Sequence, residues 1–288
     1  VEAGDGSGFA LTAGGAQIQP AVLAAWVKYN QPFEGVEKFL YTDAIGLVTT
    51  GMGNLVDSSQ SGSSNPWAPA LQLPWKNPDG SLSSGGDVIA AWQTVKNAWP
   101  AVQSTNCAHL TTIRLDDAGV QQAVSVALKA DAQILSGYFK NWMTMPADAQ
   151  MGILSMAWAM GAGFPRTFTT FTADIDAGRY AAAAAQSGFQ GVGVSGRIAA
   201  DKLCFENAQA VVDLGLDPTA LYWPNSAASG GSGSGGRGWG GWGWGLVGAA
   251  TLATGVVASV MLAQRFGPGL LSALSAAEAG LGMRRRAA

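Results

Sequence analysis

Residues 147–160, Ala-Asp-Ala-Gln-Met-Gly-Ile-Leu-Ser-Met-Ala-Trp-Ala-Met, are apolar on nearly every helical face. A surface helix keeps a polar side, so a segment without one must be wrapped by other elements. It is too short to span a bilayer, and Gly161-Ala-Gly-Phe-Pro stops it. The chain is therefore expected to assemble helices around one buried central helix. Further helical patterns fall near 88–99, 116–143, 169–177, 178–186 and 196–212, and Asp116-Asp117 suits a helix N-terminus. From Pro20 another pattern, through Val22, Leu23, Trp26 and Val27, runs to Asn30-Gln31-Pro32.

The first helical pattern ends on a different kind of segment. Phe33 to Asn54 reads Phe-Glu-Gly-Val-Glu-Lys-Phe-Leu-Tyr-Thr-Asp-Ala-Ile-Gly-Leu-Val-Thr-Thr-Gly-Met-Gly-Asn. Strand-like runs at 38–41 and 46–50, with Gly46, Gly51 and Gly53, predict a tight hairpin. Glu34 stands at the helix end, and Asp43 and Thr49 stand in the hairpin. Two carboxylates held apart, with a hydroxyl beside one, suit cleavage of a glycosidic bond, which needs a proton for the leaving oxygen and a partner for the other face. The apolar neighbours Phe33, Phe39, Leu40 and Tyr41 are expected to keep Glu34 protonated, and the turn around Asp43 to favour its ionised form. The alternative is an ordinary surface hairpin with Glu34 as a solvated charge.

The spacing Glu, eight residues, Asp, five residues, Thr, then Gly-x-Gly resembles the phage-type lysozymes, the endolysin muramidases of the T-even phages. Glu34, Asp43, Thr49, Gly51 and Gly53 match that pattern position for position, while Asn54 stands where many relatives carry a structural His. The resemblance implies Glu34 as general acid, with Asp43 and Thr49 positioning the attacking water in an inverting hydrolysis between N-acetylmuramic acid and N-acetylglucosamine. It also implies an Arg at the start of the last helix pairing with that Glu. Arg197 is the candidate, with a solvated helix face as its alternative. The implied fold class is α+β: a mostly helical lysozyme-like domain with a small β-hairpin lobe, followed by a single transmembrane helix. A lytic transglycosylase on the same fold and a non-catalytic wall-binding module are the competing readings.

Composition bounds the rest. Charged residues make up 12% of the chain, against roughly a quarter in an average soluble protein. Residues 25–225 carry 11 Lys/Arg against 16 Asp/Glu, a balance of −5, so nothing steers this part towards an anionic polymer or nucleic acid. His109 is the only histidine, which argues against a His-ligated zinc amidase and a Ser/His/Asp hydrolase. No metal or organic cofactor is expected. Cys107 and Cys204, the only cysteines, suit either a disulfide or two buried thiols.

The expected domain organisation is a flexible arm over 1–21 and a catalytic domain over 22–225, with a Ser/Gly/Pro/Trp-dense loop inserted at about 57–87. Trp67 and Trp75 in that loop suit either sugar stacking or packing. A Gly/Ser/Trp linker follows over 226–245. Residues 246–263 carry no charge and would span roughly 27 Å as a helix, so a transmembrane helix is expected over 246–264. The basic tail 265–288 would then face the cytoplasm and the enzyme the cell wall. The partners implied are bacterial peptidoglycan, a lipid bilayer and virion or membrane proteins. Nucleic acid is not among them.

Overall fold

The structure, a computed structural model, describes residues 17–43, 45–57, 65–189 and 194–230. Helix α1 spans Pro20–Glu34 and leads into a three-stranded antiparallel sheet, β1 (Glu37–Thr42), β2 (Val48–Gly51) and β3 (Asn54–Leu55), in the order β1-β2-β3. A short helix α2 (Ala68–Leu71) and α3 (Gly85–Ala98) follow. The chain continues into α4 (Asp117–Leu135), α5 (Ala147–Met160), α6 (Thr169–Asp176), α7 (Tyr180–Gln186) and α8 (Ser195–Leu214).

α5 is the central helix its composition requires. Every residue from Ala147 to Ala159 is buried, and α8, α1 and α4 pack around it. Gly152 is where α8 comes closest: a Cβ there would lie 2.7 Å from Phe205 Cζ. Phe205 in turn meets the Phe171 ring edge-on at 5.2 Å, joining α6 to the same core. α1 turns Val22, Trp26, Tyr29 and Asn30 inward, the 4-7-8 spacing of one helical face. It stops at Gly35, whose φ of 70° is left-handed.

The polar residues of α5 fasten its surroundings. Asp148 accepts from the backbone N–H groups of Tyr222 and Trp223 at 2.8 and 3.0 Å and from Asn207 Nδ2 at 3.1 Å. These bonds tie the segment after α8 back to the start of α5.

Three expectations need correction. The lobe is a three-stranded meander rather than a single hairpin, because Gly53, at φ 83°, turns the chain back for β3. The expected loop at 57–87 is partly built structure, with α2 and the start of α3 inside it. Trp75 is buried there and donates to Ala70 O at 3.0 Å, whereas Trp67 is 41% exposed. Ser84 and Asp87 close a reciprocal cap on α3, the sequence signature of a helix start.

The third correction concerns the fold class, which over the described residues is α+β with no membrane-spanning helix. Among the described residues no helix is long and apolar enough to cross a membrane. The most apolar, α5, would span only about 21 Å against a hydrocarbon core of about 30 Å. The arm up to residue 16 and the segments 231–245, 246–264 and 265–288 lie outside the described residues. Cys107 and Cys204 are both free, buried thiols.

Candidate functional site

Glu34 ends α1, and its side chain retains 14% exposure, so it reaches the surface from a largely buried base. Arg197, in the first turn of α8, donates to Glu34 Oε1 through Nη2 at 2.5 Å. The guanidinium is itself buried. Nη1 donates to Asn30 Oδ1 at 2.8 Å and to Ser155 Oγ at 3.2 Å, and Cζ lies 4.8 Å from the centre of the Phe33 ring. Three helices thus converge on one cation: α1 through Asn30 and Glu34, α5 through Ser155, and α8 through Arg197. A buried charge persists only when it is paired and hydrogen-bonded, and here both conditions are met. Glu34 sits beside a guanidinium rather than in the wholly apolar pocket its neighbours predict.

Asp43 occupies the turn between β1 and β2. Its Oδ1 accepts from the N–H groups of Ile45 and Leu47 at 3.0 and 2.9 Å, an arrangement that fixes the turn. Oδ2 is buried without a hydrogen-bond partner among the described residues. Burial pushes the carboxyl up to about 6, against the backbone N–H groups that favour its charge. The expectation of a readily ionised Asp43 is therefore corrected, because desolvation outweighs the turn's donors.

Thr49 is buried on β2, opposite Tyr41 of β1, and its hydroxyl donates to Tyr41 O at 3.3 Å. Burial, with Asp43, Glu34 and Glu37 adding repulsion, pushes the Tyr41 phenol up to about 12. Tyr41 thus lies in the field of both carboxylates and stays neutral. Gly51 has a left-handed φ of 63°, and a Cβ on it would come within 2.7 Å of Asn54 Oδ1. Asn54 accepts from Met52 N–H at 3.1 Å and donates to Ala123 O at 3.3 Å, which binds the sheet to α4. Beyond Gly53 and Asn54 a cavity of about 380 Å³ opens towards Trp67, Asp131 and Gly163, and neither Glu34 nor Asp43 lines it.

A second cluster, missed in the sequence, holds the Asp43 turn from behind. Asp57 is buried and accepts from Val48 N–H at 3.1 Å, Trp92 Nε1 at 2.6 Å and Lys96 Nζ at 2.6 Å. Lys96 also donates to Gly46 O at 2.8 Å, and the Trp99 ring covers Gly46 so closely that a Cβ would lie 2.8 Å from it. Asp57→Ala would strand the Lys96 charge and two buried donors. A loss of about 2–3 kcal/mol is expected, read from urea unfolding; an unchanged midpoint would show that the clamp carries no weight.

Asp43 also makes stability depend on pH. Its folded carboxyl titrates near 6 against 3.8 for the ordinary group, so its contribution is complete below about pH 4 and lost as pH rises through 6. Asparagine keeps the Oδ1 acceptor without the charge. Asp43→Asn is therefore expected to match wild type near pH 4 and to exceed it by about 1–2 kcal/mol at pH 7, after the cost of a buried amide. Equal stability of the two proteins at pH 7 would refute the buried, strained charge.

Of the residues singled out in the sequence, the structure joins Glu34 to Arg197, Asp43 to its turn, Thr49 to Tyr41, and Gly51 to Asn54. Asn30, Ser155 and Tyr41 were missed, as were Asp57 and Lys96. A signal existed for two of them: Asn30 lies one turn before Glu34, and Ser155 is the one hydroxyl in α5. Compared with models of known protein families and with curated proteins, the chain matches none.

Proposed function

We propose that this chain is a glycoside hydrolase acting on peptidoglycan, a muramidase in which Glu34 is the general acid. The observation that supports it is the buried Arg197 pairing with a carboxyl that still reaches the surface, while a second, desolvated carboxyl in the β1–β2 turn acts with it on Tyr41. Glu34 gives its proton to the glycosidic oxygen, and the bond from that oxygen to the anomeric carbon breaks. Water attacks the carbon from the opposite face, Asp43 takes the water's proton, and the configuration inverts. Asp43 can accept that proton only above about pH 6, where it is ionised. The Thr49 hydroxyl donates to Tyr41 O and also meets the Tyr41 phenol, so it is engaged on Tyr41 before it orients water.

The same bonds favour one competitor. A lytic transglycosylase needs a single carboxylic acid and no positioned water. An Asp43 spent on its own turn and a Thr49 spent on backbone suit that chemistry. The deciding experiment is clearance of purified peptidoglycan by the full chain, wild type beside Glu34→Gln, with analysis of the released ends. Reducing ends mean hydrolysis, and 1,6-anhydro ends mean transglycosylation. Equal clearance by both proteins would take the general-acid role from Glu34, and clearance by neither while both are folded would sink the enzyme reading.

A further inference from the structure

One buried acid lies outside this scheme. Asp201 is fully buried on α8, one turn beyond Arg197, and Tyr29 of α1 donates its hydroxyl to Asp201 Oδ1 at 2.6 Å. The Ser155 hydroxyl, which accepts from Arg197 Nη1, also favours the charged form of Asp201, as does Arg197 itself. Arg197 Nε has no hydrogen-bond partner among the described residues, so the guanidinium is not fully spent on Glu34 and Asn30. One cation therefore acts on two acids, paired with the one that reaches the surface and felt by the one sealed in the core.

We propose that Asp201 is a positioning residue for Glu34: its buried carboxyl, held by Tyr29, competes for the Arg197 charge and sets how much of that charge reaches Glu34. The inference rests on the glycosidase reading for its catalytic meaning, but the electrostatic link can be measured apart from it. Burial pushes the Asp201 carboxyl up to about 6, against Ser155, Tyr29 and Arg197. Its charge thus appears across the neutral range rather than being present throughout. From α1 the titratable group facing it is Tyr29. α8 itself brings Arg197 and Cys204, and α5 brings Ser155 and, acting on Cys204, Asp148. Helix α7, Tyr-Ala-Ala-Ala-Ala-Ala-Gln, packs on α8 with no charged residue. Tyr29 and Cys204 are both pushed upward by burial and stay neutral; burial raises the Asp148 carboxyl too, but it acts on Cys204, so Asp201 is the carboxyl of this set that feels Arg197 and changes charge near pH 6.

With Asp201 ionised, part of the guanidinium's field is cancelled and Glu34 holds its proton more firmly, as a general acid must. Asp201→Asn removes that cancellation. Glu34 then loses its proton at lower pH, and the basic limb of the activity profile moves down by about half a unit to one unit. Tyr29→Phe, which strips the donor that favours the Asp201 charge, moves it the same way by less. Asp213→Asn, exposed at the far end of α8, leaves it unmoved.

The test uses the full chain with two readouts: the pH profile of peptidoglycan clearance, and the titration of the Glu34 carboxyl carbon followed by NMR, assigned by its loss in Glu34→Gln. Downward shifts in both, larger for Asp201→Asn than for Tyr29→Phe, support the inference. Activity that falls equally at every pH, with Glu34 titrating as in wild type, overturns it and leaves Asp201 a packing residue. If wild type clears nothing but the carbon signal shifts as expected, the charge link stands and the glycosidase reading falls. If Asp201→Asn fails to fold, Tyr29→Phe decides alone, and an unshifted Glu34 signal in it overturns the inference.

Discussion

Glu34→Gln is expected to lower peptidoglycan cleavage at least about a thousandfold, roughly 4 kcal/mol of barrier. The substitution leaves a side chain of the same length whose Oε1 can still accept from Arg197 Nη2, so the contact at 2.5 Å has a neutral counterpart. What disappears is the proton. An amide cannot protonate a leaving oxygen, and no second acid stands ready: Asp43 is buried on the sheet side, with Oδ1 bound to its own turn. The measurement is the initial rate of turbidity loss for the two proteins, with circular dichroism to show that both are folded. A residual rate above about a tenth of wild type would mean that another group supplies the proton, and Glu34 would lose its assigned role.

Arg197→Met is expected to cost about 3–4 kcal/mol of stability at pH 7. Removing one partner of a buried ion pair leaves the other charge uncompensated, typically at 3–5 kcal/mol. The lower part of that range applies because Glu34, at 14% exposure, can reach water or take up a proton. The substitution also deprives Asn30 Oδ1 and Ser155 Oγ of their donor, and it removes the cation that favours the Asp201 charge. Both acids prefer their protonated forms once the cation is gone. The sign follows from Asp201, whose folded carboxyl is raised to about 6: below about pH 4 it is protonated with or without the cation, so its share of the deficit vanishes there and is largest above 6. Urea unfolding at pH 7 and pH 4 reads the difference directly. A deficit of the same size at both values would show that packing of the long side chain, not its charge, is what α8 loses.

Much of the framework could be read from residue pattern. The mostly apolar run at 147–160 corresponds to α5 to the residue, because a helix buried on all sides needs no compromise with solvent at its ends. The segment expected helical to residue 143 stops at Leu135, and residues 139–145 form turns that carry Phe139, Trp142 and Met145 into the core. Periodicity cannot separate such apolar turns from a continuing helix. The 57–87 region misled for a related reason. Its Ser, Gly and Pro content reads as loop, yet Trp75 and the Ser84/Asp87 cap give it anchors that composition averages away.

The site was legible where the chain is local and opaque where it is not. Glu34, Asp43 and Thr49 lie within one short segment, so their spacing carries information. Asn30 and Arg197 are separated by 167 positions and Ser155 and Arg197 by 42, and nothing in the sequence states that they share a hydrogen-bond network. The state of Asp43 was misjudged because a turn suggests solvent, whereas Lys96 of α3 and Trp99 just after it cover this one.

Gly152 has a reach beyond its own packing. It faces Phe205, and Ser155, one turn further along α5, bonds Arg197 on the same helix α8. The missing side chain therefore acts as a gauge for the gap between the two helices. Its width decides whether the guanidinium reaches Ser155 Oγ, the bond that ties α8 to α5 at the site. The candidate site is in this sense calibrated by a hydrogen atom in the middle of the core.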